Sequence, residues 1–250
     1  MSGAVNAKDA EHPLALSIGL TAKTNALCLG LESGAADLLE LVTPTTAELL
    51  GWWFGEDMVV ARGSLNFHAG QKQAILNAIV AHEVLGAEYA SWGLLDLYKA
   101  AAPDALLTGH RMAEVSAAKH AHTKYCFKMA TGTGKTWVLQ ALMIWQLLNK
   151  TAAQAAGLDD ARFTRHFMVV APGLIVYERL LDAFCGKLVE NGNGSRDFSR
   201  SDVAQFADLF IPETYRERVF AFVRGNVCSK NEIGLKATGN GMLGSNQWMK

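Results

Sequence analysis

Two short segments break the helical rhythm of this chain. Thr123 to Met129 and Phe167-Met168-Val169-Val170 lack Gly and Pro and are predicted as buried β-strands. Each is followed by residues with helical periodicity. Trp137 to Leu148 contains no Gly, Pro or charged residue, and Leu174 to Phe184 places Leu174, Val176, Tyr177, Leu180, Leu181 and Phe184 close to a 3.6-residue repeat. Strand, helix, strand, helix implies an α/β fold, a parallel sheet flanked by helices, with the loops at the strand C-terminal ends carrying the site.

The remaining pattern is helical. Thr43-Pro44 puts a capping hydroxyl before a proline at the first helical position, so a short helix is predicted through Ala47 to Phe54. Its Trp52, Trp53 and Phe54 are expected in the core rather than on a partner surface. A second helix is expected from Gly70 or Gln71 to about Leu85, with Ile75, Ile79 and Val80 inward, and the Ala-rich residues 86–122, with Pro103 and Gly109, read as a helical insertion. Asn191-Gly192-Asn193-Gly194-Ser195 predicts a turn. Beyond it, Asp202 to Phe210 and Pro212 to Arg224 predict two amphipathic helices, the second closed by Gly225-Asn226. Ile233 to Leu243, with Gly234, Gly239 and Gly241, predicts a short bent strand. The expected organisation is a helical lead segment over residues 1–60 and an α/β nucleotide-binding domain over residues 61–250, incomplete in its sheet.

Between the first predicted strand and its helix lies Met129-Ala130-Thr131-Gly132-Thr133-Gly134-Lys135-Thr136. Glycines in such a loop let successive backbone N–H groups turn toward phosphate oxygens, and the helix that follows points its positive end at the same anion. Ala130, Thr131, Gly132, Thr133 and Gly134 supply the backbone cradle. Lys135 reaches the β and γ phosphates of a nucleotide such as ATP, and the Thr136 hydroxyl ligates Mg²⁺. At ordinary residue frequencies, G-x-G-K-[ST] arises in about one chain in a hundred of this length. The full P-loop pattern asks for Gly where Met129 stands, but Met129 ends the strand, and the amides that face the anion belong to Thr131 through Thr136. Thr238-Gly239-Asn240-Gly241 has no lysine and no clear helix after it, so it reads as a turn rather than a second phosphate loop.

Composition narrows the choice of partners. With 250 residues and 50% hydrophobic content the chain can bury a substantial core. Its formal charge is −1 with Lys and Arg scattered, so charge alone gives no nucleic-acid footprint. Cys28, Cys126, Cys185 and Cys228 lie far apart with no C-x-x-C pair, which argues against zinc or a disulfide framework and makes a reduced, cytoplasmic setting the default. Leu14 to Leu31 is interrupted by Ser17, Thr21, Lys23, Thr24 and Asn25 and has no basic region before it, so neither a signal peptide nor a membrane span is expected.

Three residue sets together resemble one family. The loop Met129 to Thr136 resembles motif I of superfamily 2 helicases in the M-A-T-G-[ST]-G-K-T form. Phe67-His68-Ala69-Gly70-Gln71-Lys72-Gln73-Ala74-Ile75 resembles the family's Q-x-x-A-I segment, and Val169-Val170-Ala171-Pro172-Gly173-Leu174 occupies the place of motif Ia. From about residue 40 onward the chain is similar to the Res subunit of type III restriction endonucleases, DEAD/DEAH-box helicase-like proteins. The resemblance implies a RecA-like P-loop NTPase fold and an ATP-driven motor on double-stranded DNA, paired with a modification (methyltransferase) subunit. By that analogy Gln71 reads the adenine edge, to which its amide offers both a donor and an acceptor, and Ala171, Pro172 and Gly173 lie near the DNA backbone. On the residues alone, Gln71 serves equally well as a helix-start cap.

A motor of this kind needs an acidic pair at the end of a further strand to bind Mg²⁺ through water and activate the attacking water. Asp159-Asp160 lies in a polar stretch, Asp182 inside a predicted helix, and Glu190 before a glycine turn, so none follows a buried strand. The chain is therefore expected to be the first part of a longer protein and to hydrolyse nucleotide slowly by itself. Two other readings stay open. One is a P-loop kinase for a nucleotide or small molecule, weakened by the absence of charge from Trp137 to Leu148. The other is a non-catalytic fragment whose loop survives as scaffolding.

Overall fold

The computed structural model describes residues 12, 14–86, 93–108, 110–120, 124–171, 173–190 and 194–227. The predicted strand at Ile233 to Leu243, the turn at Thr238 to Gly241, Cys228, and most of the turn at Asn191 to Ser195 lie outside these residues, as do Gly109, Thr123 and Pro172. The chain forms two compact units: residues 1–56 with 67–134, and residues 57–66 with 135–250.

The first unit is helical. It contains α1 (Ala15–Leu27), α2 (Leu38–Leu41) and α3 (Pro44–Phe54), and the first residue of α4 (Glu56–Arg62) belongs to it. Then come α5 (Ala69–Ile79), continued as a π-helical segment over Val80–Leu85, α6 (Leu94–Ala101) and α7 (Arg111–Val115), with 3₁₀ turns at Pro103–Leu107 and Ala118–His120. Helix α3 begins as expected: the Thr43 hydroxyl accepts from the Thr46 N–H at 3.2 Å, with Pro44 in the first turn. Trp53 and Phe54 are buried and Trp52 is half-buried. The Trp53 and Phe54 rings meet Phe67 at centroid distances of 6.1 and 5.9 Å, an edge-to-face and tilted cluster of the kind aromatic quadrupoles favour. Ile75, Ile79 and Val80 are fully buried, as their spacing predicts. Helix α1 packs on α5 and α6. The crossing with α6 is close at Gly19, where a Cβ would collide with the Ala101 carbonyl.

The second unit contains the rest of α4, α8 (Lys135–Ala155), α9 (Leu174–Cys185), β1 (Lys187–Leu188), β2 (Arg196–Asp197), a 3₁₀ turn at Phe198–Arg200, α10 (Asp202–Gln205), α11 (Ala207–Phe210) and α12 (Glu213–Asn226). Helix α8 is longer at both ends than its apolar run. Trp137 on α8 meets Phe206 and Phe210 at 5.0 and 5.8 Å, and Trp145 meets Phe163 edge-on at 5.7 Å. The helix predicted over Asp202 to Phe210 is two helices broken at Phe206, and α12 runs through Gly225 to Asn226. Arg196 ties the strand pair to α9: it donates to Asp182 at 2.7 Å and to the Gly186 carbonyl at 2.8 Å, and pairs with Glu178.

The expected parallel sheet is not formed among the described residues. The sheet they contain is the antiparallel pair β1–β2, with Lys187 opposite Asp197 and Leu188 opposite Arg196. Residues 124–130 and 166–171 have no regular structure, and 124–128 are exposed rather than buried. A strand exists through hydrogen bonds to a neighbour, and neither segment has one among the described residues. One side of Lys124 to Met129 instead lines an open cleft of about 570 Å³ with Leu14, Leu20 and Leu97. In the second segment Met168 and Val170 face solvent.

Candidate nucleotide-binding loop

The loop from Met129 to Thr136 is a turn over residues 131–133 that leads directly into α8. Gly132 and Gly134 have φ of +81° and +69°, left-handed values that a side chain disfavours. Thr133 closes the turn: its N–H and its hydroxyl both donate to the Ala130 carbonyl, at 3.4 and 2.7 Å. Nothing lies within 4 Å of a Cβ placed on Gly132, so that side of the turn is open to a ligand. Lys135 and Thr136 are the first two residues of α8, with Lys135 exposed and Thr136 half-buried. The sequence thus puts a positive side chain, a hydroxyl and a helix N-terminus immediately after two glycines in the required backbone state. This is a donor set that fits the oxygens of a triphosphate.

The other side of the loop is held by α5. Gln71 is 2% exposed. Its Oε1 accepts from the His68 N–H at 3.0 Å, a cap on the start of α5, and its Nε2 donates to the Gly134 carbonyl at 3.2 Å. The capping role and a loop-holding role therefore coexist in one amide. The His68 ring Nε2 lies 3.0 Å from the Thr133 carbonyl. His68 was not singled out in the sequence; the available signal was its place at the N-cap, three residues before Gln71. Next to Gln71, Lys72 pairs with Glu32 and sits 5.3 Å over the Phe54 ring, and that pairing holds the Glu32 carboxyl below its usual range.

For Mg²⁺ the loop offers hydroxyl oxygens, of which Thr136 is the one at the start of α8, and no carboxylate. Among the described residues no group of three or more His, Cys, Asp and Glu could hold a metal. Three of the four carboxylates set aside from the sequence, Asp159, Asp160 and Asp182, are tied to cations. Asp159 pairs with Lys150, and Asp182 with Arg196. Asp160 accepts from Arg162 at 2.8 Å, which holds its carboxyl below the usual range. Of the predicted DNA-facing residues, Ala171 is buried and Gly173 is an exposed N-cap on α9, while Pro172 lies outside the described residues.

Comparison with protein families decides the kinship. The family model described as type III restriction enzyme, res subunit, matches residues 64–218, more than half of the chain. The chain belongs to this Res family. The matched stretch includes Gln71, the whole glycine loop and residues 171–173. Members of the family carry a P-loop NTPase-like, helicase-related domain and generally use ATP and Mg²⁺ to act on DNA with a modification subunit. A search of curated proteins found no match, and neither did a search of solved structures. No helix among the described residues is long and apolar enough to cross a membrane.

Proposed function

We propose that this Res-family chain binds ATP with Mg²⁺ at Ala130 to Thr136 and forms the nucleotide-binding part of a DNA translocase in a restriction-modification system. It works in the cytoplasm on double-stranded DNA, in company with a methyltransferase subunit. The observation that carries the reading is the loop: two glycines at positive φ, an open face at Gly132, and Lys135-Thr136 opening a 21-residue helix. Lys135 neutralises the β and γ phosphates and Thr136 supplies a hydroxyl to the metal. Gln71, whose Nε2 donates to the Gly134 carbonyl, is in this reading the residue nearest the adenine. Gly173, exposed at the start of α9, belongs with Ala171 and Pro172 to the segment nearest the DNA. Hydrolysis by the 250-residue chain is slow in this reading, because no acidic pair follows a strand among the described residues, and losing preorganised charge stabilisation commonly costs about a hundredfold or more.

Titration with mant-ATP tests this reading. Lys135→Ala removes a full positive charge beside three or four negative ones, and about a tenfold or larger loss of affinity is expected with the far-UV CD spectrum unchanged. Equal affinity in wild type and Lys135→Ala would leave the loop as scaffolding.

A further inference from the structure

We propose that His68 is a positioning residue for nucleotide binding: its ring orients the Thr133–Gly134 peptide so that the N–H of that peptide faces a bound phosphate. The inference rests on the reading of the loop as a triphosphate site and assigns a role to a side chain outside the glycine loop.

A carbonyl oxygen only accepts, so a ring nitrogen 3.0 Å from the Thr133 carbonyl must carry a hydrogen. His68 is therefore in the Nε2–H tautomer, or carries both ring hydrogens. One turn along α5, Gln71 Nε2 donates to the next carbonyl, that of Gly134, and its Oε1 takes the His68 N–H. One helix start thus pins two consecutive carbonyls. No peptide among the described residues is cis, and in a trans peptide the C=O and N–H point to opposite sides. Pinning the Thr133 carbonyl toward His68 turns the Gly134 N–H the other way, and pinning the Gly134 carbonyl does the same for the peptide that follows. Two successive amides aimed to one side are what an anion cup needs. The alternative orientation of these peptides would offer carbonyl oxygens to the phosphates and repel them. Because His68 and Gln71 set the orientation before any ligand arrives, the ordering cost is removed from the binding step.

The side chain must donate from the position of Nε2, and it need not be a histidine. His68→Gln keeps a donor near that position, whereas His68→Phe keeps the ring and loses it. Mant-ATP titration of both, beside wild type and Lys135→Ala, is the test. His68→Phe should weaken binding about five- to tenfold, the worth of one hydrogen bond and its orienting effect. His68→Gln should stay within about twofold of wild type, and the far-UV CD should be preserved in both, with the thermal midpoint of His68→Phe lower by no more than a few degrees for the lost cap on α5. Wild-type affinity in His68→Phe, with Lys135→Ala weakened, would overturn the role of His68 alone. A wild type that binds no better than Lys135→Ala would overturn the nucleotide site and this proposal with it. The ring nitrogens of wild-type His68 give a check without any variant: ¹⁵N shifts should report hydrogen on Nε2, and a tautomer with hydrogen only on Nδ1 would end the proposal.

Discussion

At the scale of single residues, the two loop glycines are needed for different reasons. Gly132 needs its positive φ but has open space beside it, so Gly132→Ala is strained only in its backbone, at about 1–2 kcal/mol. Gly134 shares the strain, and in addition a Cβ there would collide with Gln71 Nε2. That amide is the end of a flexible side chain, yet it is buried and hydrogen-bonded at both its oxygen and its nitrogen, so moving it breaks contacts worth about 1 kcal/mol each. Gly134→Ala is therefore expected to lower stability in urea by about 1–2 kcal/mol more than Gly132→Ala. In a Gln71→Ala background the gap between the two variants should close. A gap that persists there would mean that the collision is not what distinguishes them.

At the scale of elements, α5 and its π-helical continuation carry more than their apolar face. Glu83, inside the π segment, is 1% exposed; it accepts from the Thr46 hydroxyl at 2.8 Å and from the Thr43 N–H, both at the start of α3. A carboxylate at a helix N-terminus is favourable through the exposed N–H groups there, and a buried one must be paired. Glu83→Ala removes the acceptor from one buried and one half-buried donor and is expected to cost about 2–3 kcal/mol in urea denaturation, against a smaller loss for Glu83→Gln. A change below about 0.5 kcal/mol for Glu83→Ala would contradict this. The example also marks what was legible in the sequence. Helices α3, α5 and α8 announce themselves through local signals: Thr43-Pro44, the Ile75 and Ile79 spacing, and the apolar run after Lys135. The contacts of Glu83 with Thr43 and of His68 with Thr133 bridge 40 and 65 positions, and no local pattern encodes them. The strands predicted over Thr123 to Met129 and Phe167 to Val170 do not form among the described residues for the same reason. Residues 124–130 have the composition of a strand, but pairing is a property of two segments, and the neighbour is what composition cannot supply.

At the scale of the whole molecule, charge sets a limit on how the chain can meet DNA. A formal charge of −1 and a sequence pI of about 6.7 leave no net attraction to a polyanion, and Lys and Arg are dispersed along the sequence. Several of the cations that do exist are already paired: Lys72 with Glu32, Lys150 with Asp159, Arg162 with Asp160, and Arg196 with both Glu178 and Asp182. A protein that neutralises 6 to 10 phosphates loses about a thousandfold or more in affinity between 50 and 200 mM salt through counterion release. With a net charge near zero and its Lys and Arg unclustered along the sequence, the 250-residue chain should make only a few phosphate contacts. Its affinity for a fluorescent duplex, followed by anisotropy, should be weak and change by less than about tenfold over that range. A steep salt dependence would reveal a basic surface that the charge count conceals. A shallow one would mean that any contact the chain makes with a duplex rests on groups other than its own charge.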